Sequence, residues 1–393
     1  MKIVFVSNYI NHHQIPFCEA MKEALGEGYT FIQTQPMEEE RVKLGWQQEV
    51  TLPYVKYAYE EIELCRELVQ NCDVVIWGGV EDEIMLKPRL EAGKPVLRYS
   101  ERLYKTGQWK AISPRGLWKK YHDHTKYRKA PVYLLCAGAY VASDFQIIRA
   151  YPEKMFKWGY FPVCKSYDVD SLMAGKIHAK NAKHLIRKTE ILWAARFIDW
   201  KHPELVVALA EKLSEQGRKD FHITMIGGGV LTEKIEASIK EKSLEEYITI
   251  AGTKTPDEVR AAMESTPIFL MTSDRQEGWG AVMNEAMNSG CVVIADRMEG
   301  ATPYLIEHGK NGFCYKTPTA DKLAELIMPL LDSGEYCEQL GLSAYRTITE
   351  LWNAKKATER LLCLCKEIVS GKEPRIPWEQ GPCSRAEVIK ERG

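Results

Sequence analysis

The sequence predicts an α/β protein built as two doubly wound, Rossmann-like domains facing across a cleft. Three observations carry that reading. Short apolar, β-rich runs alternate with helix-like stretches, the pattern of βαβ units and parallel sheet. The alternation runs through two similar-sized halves. Between them, residues 160–188 hold Pro162, several Asp and Lys, and little periodicity, as a linker would. The expected division is a first domain at 1–165, a linker at 166–188, a second domain at 189–350, and a helix and tail at 351–393. Ligands of such sheets bind beyond the carboxyl ends of the strands, so the chemistry is sought in the loops that leave those ends.

Composition sets the outer limits. The chain has 393 residues, 45% hydrophobic and 27% charged, enough for more than one core, which excludes disordered, collagen-like and coiled-coil classes. With 53 basic and 54 acidic residues the formal charge is −1, so no global field points to nucleic acid. The apolar start at 1–6 meets a polar loop too soon for a signal peptide. No apolar run reaches the ~18 residues of a membrane span. The 11 cysteines are odd in number and scattered, and Cys363 and Cys365 lack the spacer of a zinc or thioredoxin motif. Reduced thiols in a cytoplasmic protein are expected.

The elements follow in order. A buried strand is predicted at 2–6, a helix from Gln14, a strand at 74–77, a helix at 84–90 and a strand from Pro95. The second half is cleaner. Its strands are predicted at 191–195, 221–226, 247–251, 268–271 and 291–295, with helices at 203–216, 231–242, 256–263 and 281–288. Residues 335–350 and 353–370 read as amphipathic helices with Trp352 between them.

The most informative stretch is 273–286, which follows a strand and opens a helix. Its glycines leave backbone N–H groups at a helix N-terminus, where phosphates bind. Glu277 precedes that helix and Glu285 lies on it; carboxylates suit vicinal hydroxyls because each oxygen accepts a donor. The alternative is a helix cap and a solvated glutamate. Arg196 and Lys201, in the loop before the Pro203 helix, could grip a diphosphate together, or be two surface cations at a strand end. Gly227, Gly228 and Gly229 at another strand-to-helix junction permit close approach of backbone to a ligand. They are not a dinucleotide fingerprint, because Thr232 stands where the last glycine belongs. Asp168 and Asp170 are read as solvated linker, and His122, Asp123 and His124 as surface, rather than as metal ligands.

In this order and spacing, from about 191 to 313, these features resemble the retaining GT-B glycosyltransferases of glycosyltransferase family 4. The resemblance also takes in Gly252 after the third strand and the string from Ile306 through His308, Gly309 and Asn311 to Phe313. It implies a first domain that binds acceptor and a second that binds a nucleotide-diphosphate sugar, linked to uridine or guanosine. Arg196 and Lys201 would hold the diphosphate, Glu285 the ribose and Glu277 the transferred sugar. Gly278, Trp279, Gly280, Ala281 and Val282 would offer backbone N–H groups, Gly227 and Gly228 would line the donor site, and Gly252, Thr253 and Lys254 would lie near the base. No cofactor and no metal is implied, since cations and helix ends stabilise the leaving group. The last helix would return to the first domain.

The first half departs from the family pattern. Its first loop carries Asn11, His12 and His13 in place of glycines, and Glu101 follows a middle strand; these are the acceptor-side candidates. A helix cap, a buried histidine and a salt bridge from Glu101 to Arg98 or Arg102 are the alternatives. Between residues 98 and 129, ten Lys or Arg face only Glu101 and Asp123, interleaved with Tyr104, Trp109, Leu117, Trp118, Tyr121 and Tyr127. Such a mixture suits an anionic membrane surface, or else a solvated basic face. The functional expectation is metal-independent, retaining transfer of a sugar to a glycan or lipid-linked acceptor in surface-polysaccharide or glycoconjugate synthesis, at the inner face of the membrane. A nucleotide-sugar epimerase and a non-catalytic nucleotide-sugar-binding subunit are the rivals.

Overall fold

The computed structural model describes residues 1–37, 52–80, 82–177 and 188–389. Two compact units appear, Met1–Val163 with Leu351–Gly393, and Cys164–Glu350.

The first unit holds a seven-stranded sheet in the order β3-β2-β1-β4-β5-β6-β7. Its strands are β1 (Ile3–Ser7), β2 (Tyr29–Gln33), β3 (Val55–Tyr57), β4 (Val74–Gly78), β5 (Val96–Ser100), β6 (Val132–Ala137) and β7 (Met155–Trp158). Every pairing is parallel. Both faces of such a sheet are covered, which is why β1, β4 and β6 are apolar runs without alternation. The helices are α1 (Ile15–Leu25), α2 (Ile62–Asn71), α3 (Lys87–Glu91), α4 (Pro114–Asp123) and α5 (Val141–Ile147). The helix predicted at 84–90 is shorter and later, because Pro88 suits a first helical turn and residues 84–86 form the turn before it.

An edge strand exposes unpaired backbone groups, and β7 is such an edge. The C-terminal tail covers it. Lys157 N donates to Ser384 O at 2.7 Å, Cys383 N to Lys157 O at 2.8 Å, and Ala386 N to Met155 O at 3.0 Å. Phe156 and Arg385 form an antiparallel bridge. The helix Ala354–Val369 packs on α1 through an apolar face that includes Leu361, Leu364 and Ile368. Trp352 is buried just before it.

The second unit holds six parallel strands in the order β10-β9-β8-β11-β12-β13. They are β8 (Thr189–Ala194), β9 (Phe221–Ile226), β10 (Ile248–Ile250), β11 (Ile268–Met271), β12 (Val292–Asp296) and β13 (Gly312–Tyr315). The helices between and around them are α6 (Val169–Ile177), α7 (Pro203–Glu215), α8 (Thr232–Glu241), α9 (Pro256–Ser265), α10 (Ala281–Asn288), α11 (Thr302–Leu305), α12 (Ala320–Asp332) and α13 (Gly334–Arg346). Trp193, Phe197 and Leu209 join Phe221, Ile268 and Ile327 in one buried cluster.

The stretch expected to be a linker contributes α6 to this unit. Asp168 and Asp170 are exposed, as expected, but Asp168 Oδ1 also accepts from Ser171 N at 2.9 Å at the start of α6. Lys176 is buried and donates to Met263 O at 2.6 Å and Thr266 O at 2.5 Å. Burial pushes its ammonium pKa down. Residues 178–187 of the expected linker lie outside the described residues.

Truncation after residue 350 should leave insoluble protein, because it strips the apolar cover from α1 and reopens the β7 edge. Soluble, monomeric material from that truncation in size-exclusion chromatography would contradict the packing described.

Candidate active site

In the second unit β8 and β11 are neighbours, β9 lies beyond β8, and β12 lies beyond β11. The connections therefore leave the centre of the sheet in opposite directions. Such a switch point leaves a crevice at the carboxyl ends of the two strands, here β8 and β11, the place where doubly wound sheets bind ligands. Two sequence-predicted loops meet there. Thr272 Oγ1 donates to Lys201 O at 2.5 Å and Asp274 N to Trp200 O at 3.0 Å, so the loop after β11 is tied to the loop after β8. Trp193 Nε1 in turn donates to Thr272 Oγ1 at 2.8 Å.

These ties bring Lys201 and Glu277 together as an ion pair with both side chains mostly buried. Trp200 lies beside both predicted cations, 5.8 Å from Arg196 Cζ and 4.4 Å from Lys201 Nζ by ring centroid. The negative face of the indole favours cations held there. Glu285 sits further along, half-buried on α10. Burial raises its pKa, while the charges of Arg260 and Lys165 pull the other way.

The glycines pack closely against neighbouring main chain and side chains. A Cβ on Gly227 would stand 1.9 Å from Ala195 O, and one on Gly229 would stand 2.6 Å from Phe197 O. They permit close approach to the protein's own backbone, stitched by Phe197 N to Gly228 O at 3.0 Å and Gly227 N to Gly252 O at 2.9 Å. Gly228 lies next to Thr253, whose Oγ1 would be 3.3 Å from an added Cβ. Lys254 pairs with Glu258 at 3.4 Å on the solvent side. Gly280 starts α10 in the left-handed region, φ 83°, with Glu299 Oε1 2.6 Å from where its Cβ would be. A Cβ on Gly300 would meet Gly278 O at 1.7 Å. Trp279 is a core residue whose indole N–H donates to Asn284 Oδ1 at 2.8 Å, so any contact to a ligand falls to its backbone. Ala281 and Val282 form the half-buried first turn of α10.

Residues 176–347 match the family of glycosyl transferases group 1. The poly(ribitol-phosphate) alpha-N-acetylglucosaminyltransferase of Staphylococcus aureus is 27% identical over 209 residues, 51% of this chain and 41% of that one. The chain thus spans less than half the length of that relative. A glycosyltransferase from Rickettsia africae superposes with a TM-score of 0.66 at 17% identity, covering 94% of this chain and 99% of that one. Anabaena HepE, solved with UDP, gives 0.66 at 13% identity, covering 92% and 98%. The chain resembles the GT-B glycosyltransferases. Its two parallel-sheet units have the two-domain, Rossmann-like architecture of that fold.

In the first unit of this GT-B fold, the acceptor-side candidates also find places. Asn11 Oδ1 accepts from His13 N at 3.0 Å and Asn11 O from Gln14 N at 2.9 Å, shaping the turn into α1. The His12 and His13 rings are half-buried with centroids 3.7 Å apart. Burial, then the neighbouring His12, pushes His13 down to about 3, so it is neutral at physiological pH. Glu101 bonds Lys105 at 2.6 Å and accepts from Tyr160 O–H at 2.9 Å, not from Arg98 or Arg102.

The basic segment is less exposed than its composition implies. Arg98 is buried and bidentate on Glu83, with Nη2 2.7 Å from Asp123 O. Arg102 is buried 3.7 Å from Asp144. The expected surface group separates: His122 packs 4.3 Å from Trp118, while half-buried His124 meets Tyr151 O–H at 2.6 Å and burial lowers it to about 3. Helix α4 still exposes Leu117, Trp118 and Tyr121, beside a groove of ≈ 750 Å³ lined by Lys87, Arg115, Lys119 and Lys126. The side chains of Trp109 and Lys110 lie outside the described residues.

Sequence reasoning missed Trp200, Asp274, Asp296 and Glu299. Glu299 is fully buried and accepts from Thr302 N at 3.0 Å and Thr302 Oγ1 at 2.7 Å; burial, then Glu277, raises its pKa. Asp296 is buried at the end of β12, and burial pushes it up to about 6. Its folded pKa thus exceeds the ordinary 3.8, so the fold disfavours the carboxylate, and stability is lost as pH rises from about 4 through 6. Asp296→Asn, which keeps an acceptor for Met298 N, should be more stable than wild type at pH ~8 by about 2 kcal/mol and equal to it below pH ~4. Denaturant melts at the two pH values check this.

Proposed function

We propose that the protein transfers a sugar from a nucleoside-diphosphate sugar to a glycan or lipid-linked acceptor, with retention and without a metal. The observation that carries this reading is the Lys201–Glu277 pair at the β8/β11 crevice, with Arg196 beside it, inside the segment matched to glycosyl transferases group 1. A surface glycoconjugate as product agrees with the poly(ribitol-phosphate) substrate in the name of the S. aureus relative.

The ion pair suggests how the donor engages. Without donor, Lys201 and Glu277 neutralise each other. A diphosphate competes for Lys201 and Arg196, which frees the Glu277 carboxylate for sugar hydroxyls. Glu285, kept closer to neutrality by burial, accepts from or donates to a ribose hydroxyl. When the anomeric C–O bond breaks, its electron pair goes to the departing phosphate oxygen, and Arg196 and Lys201 stabilise that charge. The acceptor oxygen bonds the anomeric carbon from the same face, and its proton passes to the departing phosphate. Preorganised cations at such a position contribute about 3 kcal/mol each.

Arg196→Ala, Lys201→Ala and Glu277→Ala should each lower turnover by ~100-fold or more in a folded protein. Near-normal release of nucleoside diphosphate by any one variant removes that residue from the assignment, and an epimerised donor without release favours the epimerase. Activity should persist in chelator; loss restored by magnesium or manganese would refute metal independence.

The exposed aromatics of α4 and the cations around its groove support contact with an anionic membrane at the inner face. Among the described residues no helix is long and apolar enough to cross a membrane. Binding to anionic vesicles should weaken with salt, and Lys119, Lys120, Lys126 and Lys129 replaced by Glu should abolish it while donor hydrolysis continues. Wild-type protein that ignores such vesicles at low salt would leave α4 a solvated face.

A further inference from the structure

His202 occupies a backbone state that favours glycine. It lies between Lys201 and the Pro203 that starts α7, with φ 49° and ψ 53°. A side chain is held in that left-handed region only where its surroundings compensate for the strain. The compensation is visible. Nδ1 faces Glu204 Oε1 at 2.8 Å, and Nε2 faces Asp274 Oδ2 at 3.4 Å. A neutral imidazole has one N–H and one lone pair, so it can donate to only one of two carboxylates and turns its lone pair on the other. The imidazolium donates to both.

The two carboxylates belong to different elements. Glu204 is in the first turn of α7, and Asp274 is in the loop after β11. Asp274 is the hub of that loop: its Oδ1 accepts from Gln276 N at 2.8 Å and its backbone oxygen from Glu277 N at 3.1 Å. We propose that His202 is a positioning residue whose imidazolium ties Asp274 to the start of α7 and so fixes the two loops that present Lys201 and Glu277. This rests on the reading of these loops as the donor site.

The charged groups around the ring agree with that role. The bond to Glu204 first, then the charges of Glu204 and Asp274, raise the pKa of His202 above 6.5 against the effect of burial. Asp296 adds a more distant negative charge, and Lys234 stands near Glu204. A raised histidine contributes stability that is complete below 6.5 and is lost as pH rises through the folded value. The site therefore loosens as pH rises from 6.5 through the folded value of His202.

The test compares the full-length wild type with His202→Gly and His202→Asn between about pH 5.5 and 8.5. Melting temperature and the affinities for UDP and GDP are measured at each pH. Glycine removes the backbone strain together with the bridge, and asparagine tolerates the left-handed state but cannot titrate. Wild type should lose melting temperature and nucleotide affinity together as pH rises. Both variants should lack that step and bind nucleotide about tenfold more weakly at the acid end, even where His202→Gly melts no lower than wild type at the alkaline end. A stability loss alone would not separate affinity from melting in this way. Parallel pH profiles in wild type and variants, or variant affinity equal to wild type at the acid end, overturn the inference. If neither nucleotide binds any form, the functional reading fails. The melting curves then decide the bridge alone: a pH step confined to wild type upholds it, and its absence rejects it.

Discussion

The Lys201–Glu277 ion pair imposes the strictest demand in the second unit. Taking opposite charges out of water costs more than their attraction returns unless geometry is held firmly. Neither partner is on a strand or an α-helix that would hold it; Lys201 ends a single 3-10 turn, Asp199–Lys201, and Glu277 is on a loop. The loops are instead fixed to one another through Thr272, Asp274 and the main chain of Trp200 and Lys201. In the proposed reaction a diphosphate takes one member of such a pair without unfolding what supports it.

Close backbone approach is the means by which the supports fit. Gly227 and Gly229 let the turn after β9 rest directly on the strand exit at Ala195 and Phe197. Gly300 does the same for the turn after β12 against Gly278. Two pairs of strand exits, those of β9 and β8 and those of β12 and β11, are thereby brought into direct main-chain contact. The glycine pattern is thus a packing requirement of this sheet.

Much of this was legible in the sequence, for a physical reason. Central strands of a parallel sheet are buried on both faces, so Phe221–Ile226 and Ile268–Met271 stand out as apolar runs and occupy the residues predicted for them. Arg196, Lys201 and Glu277 stood out as candidates because they lie at strand exits near a switch point, and the structure brings Lys201 and Glu277 together there. What escaped depends on distant partners. Helix α6 has weak amphipathicity and is anchored by a buried lysine to carbonyls almost ninety positions away, so its segment passes for a linker. Arg98 and Arg102 count as surface charge until Glu83 and Asp144 are found beside them. His202 carries no signal in composition; only its backbone angles and two carboxylate neighbours mark it.

The tail that closes β7 has a consequence for the order in which the molecule is made. Every strand of the second unit comes from one uninterrupted stretch, so that unit can finish as soon as its last helix has left the ribosome. The first unit begins earlier but cannot be completed then, since the backbone that pairs with Met155 and Lys157 is supplied by residues 383–386. Its sheet must wait, one edge open, while more than two hundred further residues are added. The domain synthesised first is thus the one that matures last.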